Sequence, residues 1–573
     1  MVRLLIGALV AATAIVFAAC GTAASPSPSL PTGSAPPAGS QQPASAEPPG
    51  EQPVAGGTLV VAIPGDMVFA DPTLVSDSNS SYIMINAVEG LIKPKVGSIS
   101  EVEPLLAEAL PEVSDDLLTY TFKLQSGVTF HDGEPLNAEA VVYNFERQKN
   151  APEELQDAYN YYFGAVFNGW GDESDLASVT AVDESTVEFK LKRPLSNFLL
   201  ALAALPQFGI QSPKALKDGD ADNPDPSKST YAQGQGAGMV GTGPFKYKEW
   251  VPEDHVTLDK NPDYWNEEGV AYLDQLVFKP YADMTSEFNA LKAGDVDFAQ
   301  TVLPNDALTL ESDTGFQTFD RGDSCNVAVL QMNHTHKPMD NKDIRRAIAH
   351  ALNKDAYIQA FYAGEAVPAD NWMPPSTQFF KALNLPKYDV QAAKDAITAS
   401  GLSGDQLKLT LHYPSDVSRP YMPDPKGLAE AIATDLEAAG FTVEFQTAGW
   451  RTGYLADEAE GKYPMWLLGW TCDWAGPDNF LNTAFFHPDG TAPNKEFAYG
   501  PPALFDAFGR GLTAPSEEDQ RAAWEEAQDI LAADLPTVPL VNSEPRAAGK
   551  ASIRGFTGAG NLNELFNTVW LAE

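Results

Sequence analysis

Gly236-Ala237-Gly238-Met239-Val240-Gly241 spells G-x-G-x-x-G, the spacing with which a strand-to-helix turn cradles a dinucleotide pyrophosphate. That chemistry needs a buried strand before the glycines and a helix after them. Here a polar stretch, residues 224–233, precedes them and Gly243-Pro244 follows, so they read as a close-packed or flexible loop. His334-Thr335-His336 puts two imidazoles on opposite sides of an extended chain, and no Cys, Glu or third His completes a metal set, so a solvated loop is expected. No nucleophile elbow, His-Glu-x-x-His helix or P-loop occurs. With 78 Asp and Glu in the chain, a pair of acids picked out by eye carries no weight as a catalytic dyad. No cofactor or metal is implied, and binding is expected in place of catalysis; an extracellular hydrolase is the weakest alternative.

The three cysteines, Cys20, Cys325 and Cys472, say where the protein works. Residues 4–19 are apolar after a basic start at Arg3, shorter than the roughly 20 residues that span a bilayer, and small residues precede Cys20. Residues 1–19 therefore read as a signal peptide. Ala18-Ala19-Cys20 resembles the bacterial lipoprotein box, in which the cysteine becomes the lipidated first residue; Phe17 stands where that box has Leu. An ordinary secretory signal is the plainer alternative. Residues 20–56 follow as a disordered tether rich in Pro, Ser, Ala and Gly, a composition that cannot bury a core. In an oxidising compartment Cys325 and Cys472 are free to pair; two buried free thiols are the alternative.

Composition narrows the partners. The net charge of -41, from 37 Lys and Arg against 78 Asp and Glu, disfavours nucleic acid and anionic membrane surfaces. The membrane is reached through the lipid anchor only. The body is too long for one hydrophobic core, so at least two lobes are expected.

The elements that position any site are partly legible. Residues 57–63 read as the first buried strand, and 120–124 alternate as a strand, with 128–130 a further extended piece. Asn137 is a good N-cap for a helix carrying Val141, Val142 and Phe145. Leu407, Leu409 and Leu411 alternate, Leu428, Ile432 and Leu436 mark a helix ended by Gly440, and Phe441, Val443 and Phe445 alternate again. That is strand, helix, strand, the unit that joins parallel strands. Ile344 and Ile348 mark another helix, and Ser516 with Asp519 starts one bearing Trp524, Ala527 and Leu531. A doubly wound second lobe fits these pieces.

The block Tyr120 to Val141, with Thr129-Phe130-His131-Asp132-Gly133-Glu134-Pro135 at its centre, resembles the signature segment of family 5 of the ABC-transporter solute-binding proteins. Pro104-Leu105-Leu106-Ala107-Glu108, Gly241-Thr242-Gly243-Pro244-Phe245, Asn261-Pro262-Asp263-Tyr264-Trp265, Ala290-Leu291-Lys292-Ala293-Gly294-Asp295 and Pro536-Thr537-Val538-Pro539-Leu540 fit in order. The resemblance implies an α/β, two-lobed periplasmic-binding-protein-like clamp of class II with an extra subdomain in lobe I. Lobe I is discontinuous: 57–319, with lobe II at 320–540 and a return at 541–573. It implies a monomer that takes a short peptide to an ABC permease and ATPase complex; a nickel chelate, sugar or other cation is the alternative cargo.

The resemblance also assigns site residues. Asp473, after Cys472, resembles the carboxylate that holds a peptide's α-ammonium group; otherwise it caps a turn before Gly476-Pro477. Arg419 resembles the residue aimed at the ligand's carboxylate, a fork suited to that group; otherwise it pairs with Asp416 or Asp424 on the surface. Trp372, Trp470 and Trp474 are candidate walls. A Cys325–Cys472 bridge would brace the ligand-bearing segment.

Overall fold

The computed structural model describes residues 52–572 apart from 323, 490 and 491. The signal peptide, Cys20 and nearly all of the tether lie outside the described residues. No described helix is long and apolar enough to cross a membrane.

Among the described residues, the strands form three larger sheets, each on its own apolar cluster. A seven-stranded sheet centres on Thr58–Ile63, which pairs in parallel with Gln275–Pro280 and Phe298–Val302. Five of that first strand's six residues are buried or half-buried, which explains its unbroken apolar run. A four-stranded antiparallel sheet joins Glu112–Val113, Thr119–Lys123, Thr186–Leu191 and Leu176–Ala181. Tyr120 and Phe122 face its core, and Asn137 caps the helix Ala138–Lys149 by accepting from Ala140 N at 2.9 Å. Residues 128–130 are no strand; Thr129 makes only an isolated bridge to Pro135.

The six-stranded sheet holds the strand-helix-strand unit: Lys408–Pro414 and Thr442–Ala448 lie parallel in register, joined by the helix Pro425–Ala439 and stopped by Gly440 at φ 116°. The sheet is mixed, not doubly wound. Asn326–Met332 runs antiparallel to both Met465–Thr471 and Val538–Ser543. The chain enters this sheet by Asn326–Met332 and leaves by Val538–Ser543 at the same end, and strands that enter and leave together must oppose one another. The passage into it lies between Phe319 and Asn326, and the passage out between Ser543 and Arg546, so Leu540 sits inside a strand of this sheet.

The two misleading motifs are structural. An added Cβ at Gly241 would stand 2.4 Å from Ala87 O, and at Gly238 2.7 Å from Ala70 Cβ; the loop needs glycine for close packing. His334 and His336 each direct a ring nitrogen at a backbone carbonyl, of Pro536 and Gly461, so they are half-buried turn anchors and not a solvated loop.

A buried ion pair ties the four-stranded subdomain to the loop after the first strand. Arg147 donates to Asp71 at 2.8 Å, to Thr73 Oγ1 at 3.0 Å and to Asp222 at 2.7 Å, with Arg147 and Asp71 side chains 4% and 0% exposed. Arg147→Leu leaves Asp71 buried without its cation, so a loss of about 3 kcal/mol is expected in denaturant unfolding. A change below about 1 kcal/mol would refute that role.

Candidate functional site

The site grows from the end of one strand. Met465–Thr471 delivers Cys472, whose N–H donates to Cys325 O at 2.8 Å and whose sulfur is bonded to Cys325. Asp473 follows immediately. Asn479, six residues on, folds the loop back: its Oδ1 accepts from Asp473 N and from Trp470 Nε1, both at 3.0 Å, and its Nδ2 donates to Asp473 Oδ2 at 3.1 Å. The other carboxylate oxygen accepts from Tyr162 Oη at 2.9 Å, across 311 residues of sequence. Tyr162 belongs to the helix Tyr161–Phe167, so the carboxylate of one lobe meets a hydroxyl of the other lobe's subdomain.

Asp473 thus has two neutral partners and, among the described residues, no cation within ion-pair distance. Among the described residues no backbone N–H donates to its carboxylate, so the turn-capping alternative is not what the side chain does. Desolvation pushes its carboxyl up to about 6, against the lowering effect of Asn479 and Tyr162. A half-buried, desolvated carboxylate with no countercharge among the described residues has the chemistry to receive a cationic group. Because this carboxyl titrates higher folded than unfolded, its ionised form destabilises the empty protein: stability from this group is greatest when protonated and falls as pH rises from about 4 through 6. Cation binding runs the opposite way. Affinity for an ammonium ligand is expected to be level above pH 7 and to fall about tenfold per unit well below pH 6, read by calorimetric titration; a flat profile to pH 4.5 would exclude Asp473 as the partner.

The rest of the loop is scaffold. Trp474 is 1% exposed, packs in the cluster of the four-stranded subdomain and donates Nε1 to both Asp478 oxygens at 3.1 Å. Asn197 Nδ2 also donates to Asp478, at 2.7 Å. Trp474 is therefore an anchor between lobes and not a ligand wall. Trp372 is 0% exposed with its Nε1 donating to Thr537 Oγ1 at 2.7 Å, a core residue of the six-stranded lobe and likewise no wall. Trp470 is half-buried and bonded into the Asp473 cluster through Asn479.

Arg419 is elsewhere. Its guanidinium lies 4.9 Å from the Trp450 ring centroid, and its Nε is buried with no hydrogen-bond partner among the described residues. The surface pairing is not made: Asp416 accepts from Trp450 N and Asp424 caps its helix through Gly427 N. Arg419 lines a cavity at the chain crossing with Thr301, Glu365, Ser543 and Arg546, and Asp473 is not part of that lining. Tyr162, Asn479 and the Asn197–Asp478 contact were not anticipated. Only Asn479 stood close enough in sequence to be found, as the polar residue after Gly476-Pro477-Asp478.

A six-stranded lobe joined by two chain passages to a second lobe, with a carboxylate that reaches that lobe's subdomain and has no cation beside it among the described residues, fits an α/β two-lobed solute receptor. The chain belongs to the bacterial extracellular solute-binding proteins, family 5, whose model matches residues 101–492. The dipeptide-binding protein of Escherichia coli (strain K12) is 29% identical over 520 residues, covering 88% of this chain and 92% of that protein. The periplasmic binding protein DppA from Helicobacter pylori, solved in complex with the peptide STSA, has a TM-score of 0.73 at 28% identity, over 91% of this chain and 99% of that one. NikA from Brucella suis, in complex with Fe(III)-EDTA, shares the fold with a TM-score of 0.74 at 20% identity, over 90% and 100%.

Proposed function

We propose that this chain captures short peptides by their free α-ammonium group at Asp473 and delivers them, without catalysis, to an ABC permease and its ATPase. The observation that carries this is a half-buried, desolvated carboxylate hydrogen-bonded by Tyr162 and Asn479 yet, among the described residues, lacking a cation. A desolvated ammonium needs such a countercharge. The peptide-binding relatives support the cargo. Tyr162 is the hydroxyl that an incoming ammonium displaces or joins, and Trp470 is the wall beside it. Arg419, stacked on Trp450 in a separate cavity, serves a ligand carboxylate only if the ligand reaches the crossing. Outside the described residues, Cys20 is proposed as the lipidated anchor that keeps a monomeric receptor at the cell surface.

The test is a pair of ligands. Tri-alanine is expected to bind and N-acetyl-tri-alanine to bind at least about 100-fold more weakly, since acetylation removes the charge. Equal affinities would overturn the ammonium reading. Native mass spectrometry of the purified protein identifies what it carries, and a metal chelate there would favour the rival cargo.

A further inference from the structure

A second cavity lies within the first lobe, open to solvent and about 400 Å³ in volume. One wall is apolar, with Ile85, Val88, Leu202, Leu205 and Leu565. Arg321, in the segment that crosses between the sheets, also lines it, and its side chain is 2% exposed. Arg321 Nε donates to Glu564 Oε1 and Nη2 to Gln300 O, both at 2.5 Å, whereas Nη1 is buried and has no hydrogen-bond partner among the described residues. A guanidinium nitrogen stripped of water and left unpaired is costly, and an incoming acceptor relieves that cost. The groups facing Arg321 are Glu564, Glu287 and Tyr82. Burial pushes Glu287 up to about 8, so at neutral pH it adds little negative charge and Glu564 alone balances the arginine.

We propose that this cavity is a second ligand site, taking a carboxylate on an apolar body, with Arg321 Nη1 holding the carboxylate and the Leu202–Leu205 wall holding the body. The site is wired to both lobes. Gly560, in its lining, accepts from Cys325 N at 3.2 Å, and Cys325 is bonded to the cysteine that precedes Asp473. Ile99, also in the lining, packs against the core of the six-stranded lobe. An occupant would therefore bear on the crossing and on the ammonium slot together. Such a carboxylate has two sources: the distal end of a peptide held at Asp473, or a separate small acid.

The probe is 4-phenylbutyrate, which carries no ammonium, titrated calorimetrically into the full chain at pH 7.5. Binding is expected, at least tenfold weaker for 4-phenylbutanol and at least tenfold weaker in Arg321→Gln. Because Arg321→Gln strips Glu564 of its partner and can unfold the lobe, Ala203→Trp provides a second arm: it fills the cavity from the half-buried Ala203 in its lining. Absence of binding to the native protein, equal affinity for the alcohol, or undiminished binding in folded Ala203→Trp would each overturn the proposal. Phenylbutyrate affinity is expected to survive Asp473→Asn, so failure of the ammonium reading shows separately, as unchanged tri-alanine affinity in that variant. Loss of tri-alanine affinity in Ala203→Trp names the peptide end as the source; unchanged tri-alanine affinity there names a separate acid.

Discussion

Asp473→Asn is expected to reduce peptide affinity at least 100-fold while raising the stability of the empty protein. The first effect follows from removing one partner of a desolvated charge pair, which costs about 2–5 kcal/mol or more in comparable interfaces. The second follows from the same desolvation. A carboxyl raised from 3.8 to about 6 is strained in its ionised form by roughly 2–3 kcal/mol at neutral pH, and the amide removes that burden. Asparagine keeps one oxygen to accept from Asn479 Nδ2 and can turn its amide N–H to Tyr162 Oη, a hydroxyl that also accepts, so the loop has no reason to collapse. Calorimetric titration with tri-alanine and thermal melting of the ligand-free protein read the two effects together. Retained affinity would sink the ammonium role; a large loss of stability would mean that Asp473 is structural. The trade of stability for binding is the signature of a site poised for a partner that the fold itself does not supply.

Short-range physics accounts for most of what could be read beforehand. The unit from Lys408 to Ala448 was legible because alternation and a four-residue helical period are local properties, and Gly440 marks its turn without help from the rest of the chain. The caps at Asn137 and Ser516 are legible for the same reason. The mixed order of the six-stranded sheet was not, since strand direction depends on where the chain must exit. Trp372, Trp470 and Trp474 look alike in sequence, yet only Trp470 joins the Asp473 cluster; an indole is equally at home in a core and in a pocket wall. Asp473 was reached through a family motif, and its chemistry is finished by Tyr162, whose distance in sequence leaves no local pattern to find. Arg419 carried the expected charge, but its place over Trp450 was set by the strand and helix around it.

Replacing both Cys325 and Cys472 by alanine is expected to cost about 5 kcal/mol in unfolding of the six-stranded lobe. The bond closes a loop with a sequence separation of 147, and in the chain-entropy account a loop of this size restrains the unfolded chain by about that amount. Much of the lobe lies inside that loop, including the strand-helix-strand unit, so the restraint acts on the whole core and not on one turn. The native geometry offers little compensation: Cys325 and Cys472 are buried, 0% and 4% exposed, and the alanines would leave a small void. Affinity should fall far less than in Asp473→Asn, because Asn479 still folds the loop onto Asp473 and Tyr162 still meets it from the other lobe. Denaturant unfolding of the double variant against the oxidised protein gives the first quantity, and tri-alanine titration of the folded fraction the second. A stability change below about 1 kcal/mol would show that the strand ladder between Asn326–Met332 and Met465–Thr471 already holds the segment unaided. A loss of affinity equal to that of Asp473→Asn would show instead that the bridge, and not Asn479, places the carboxylate.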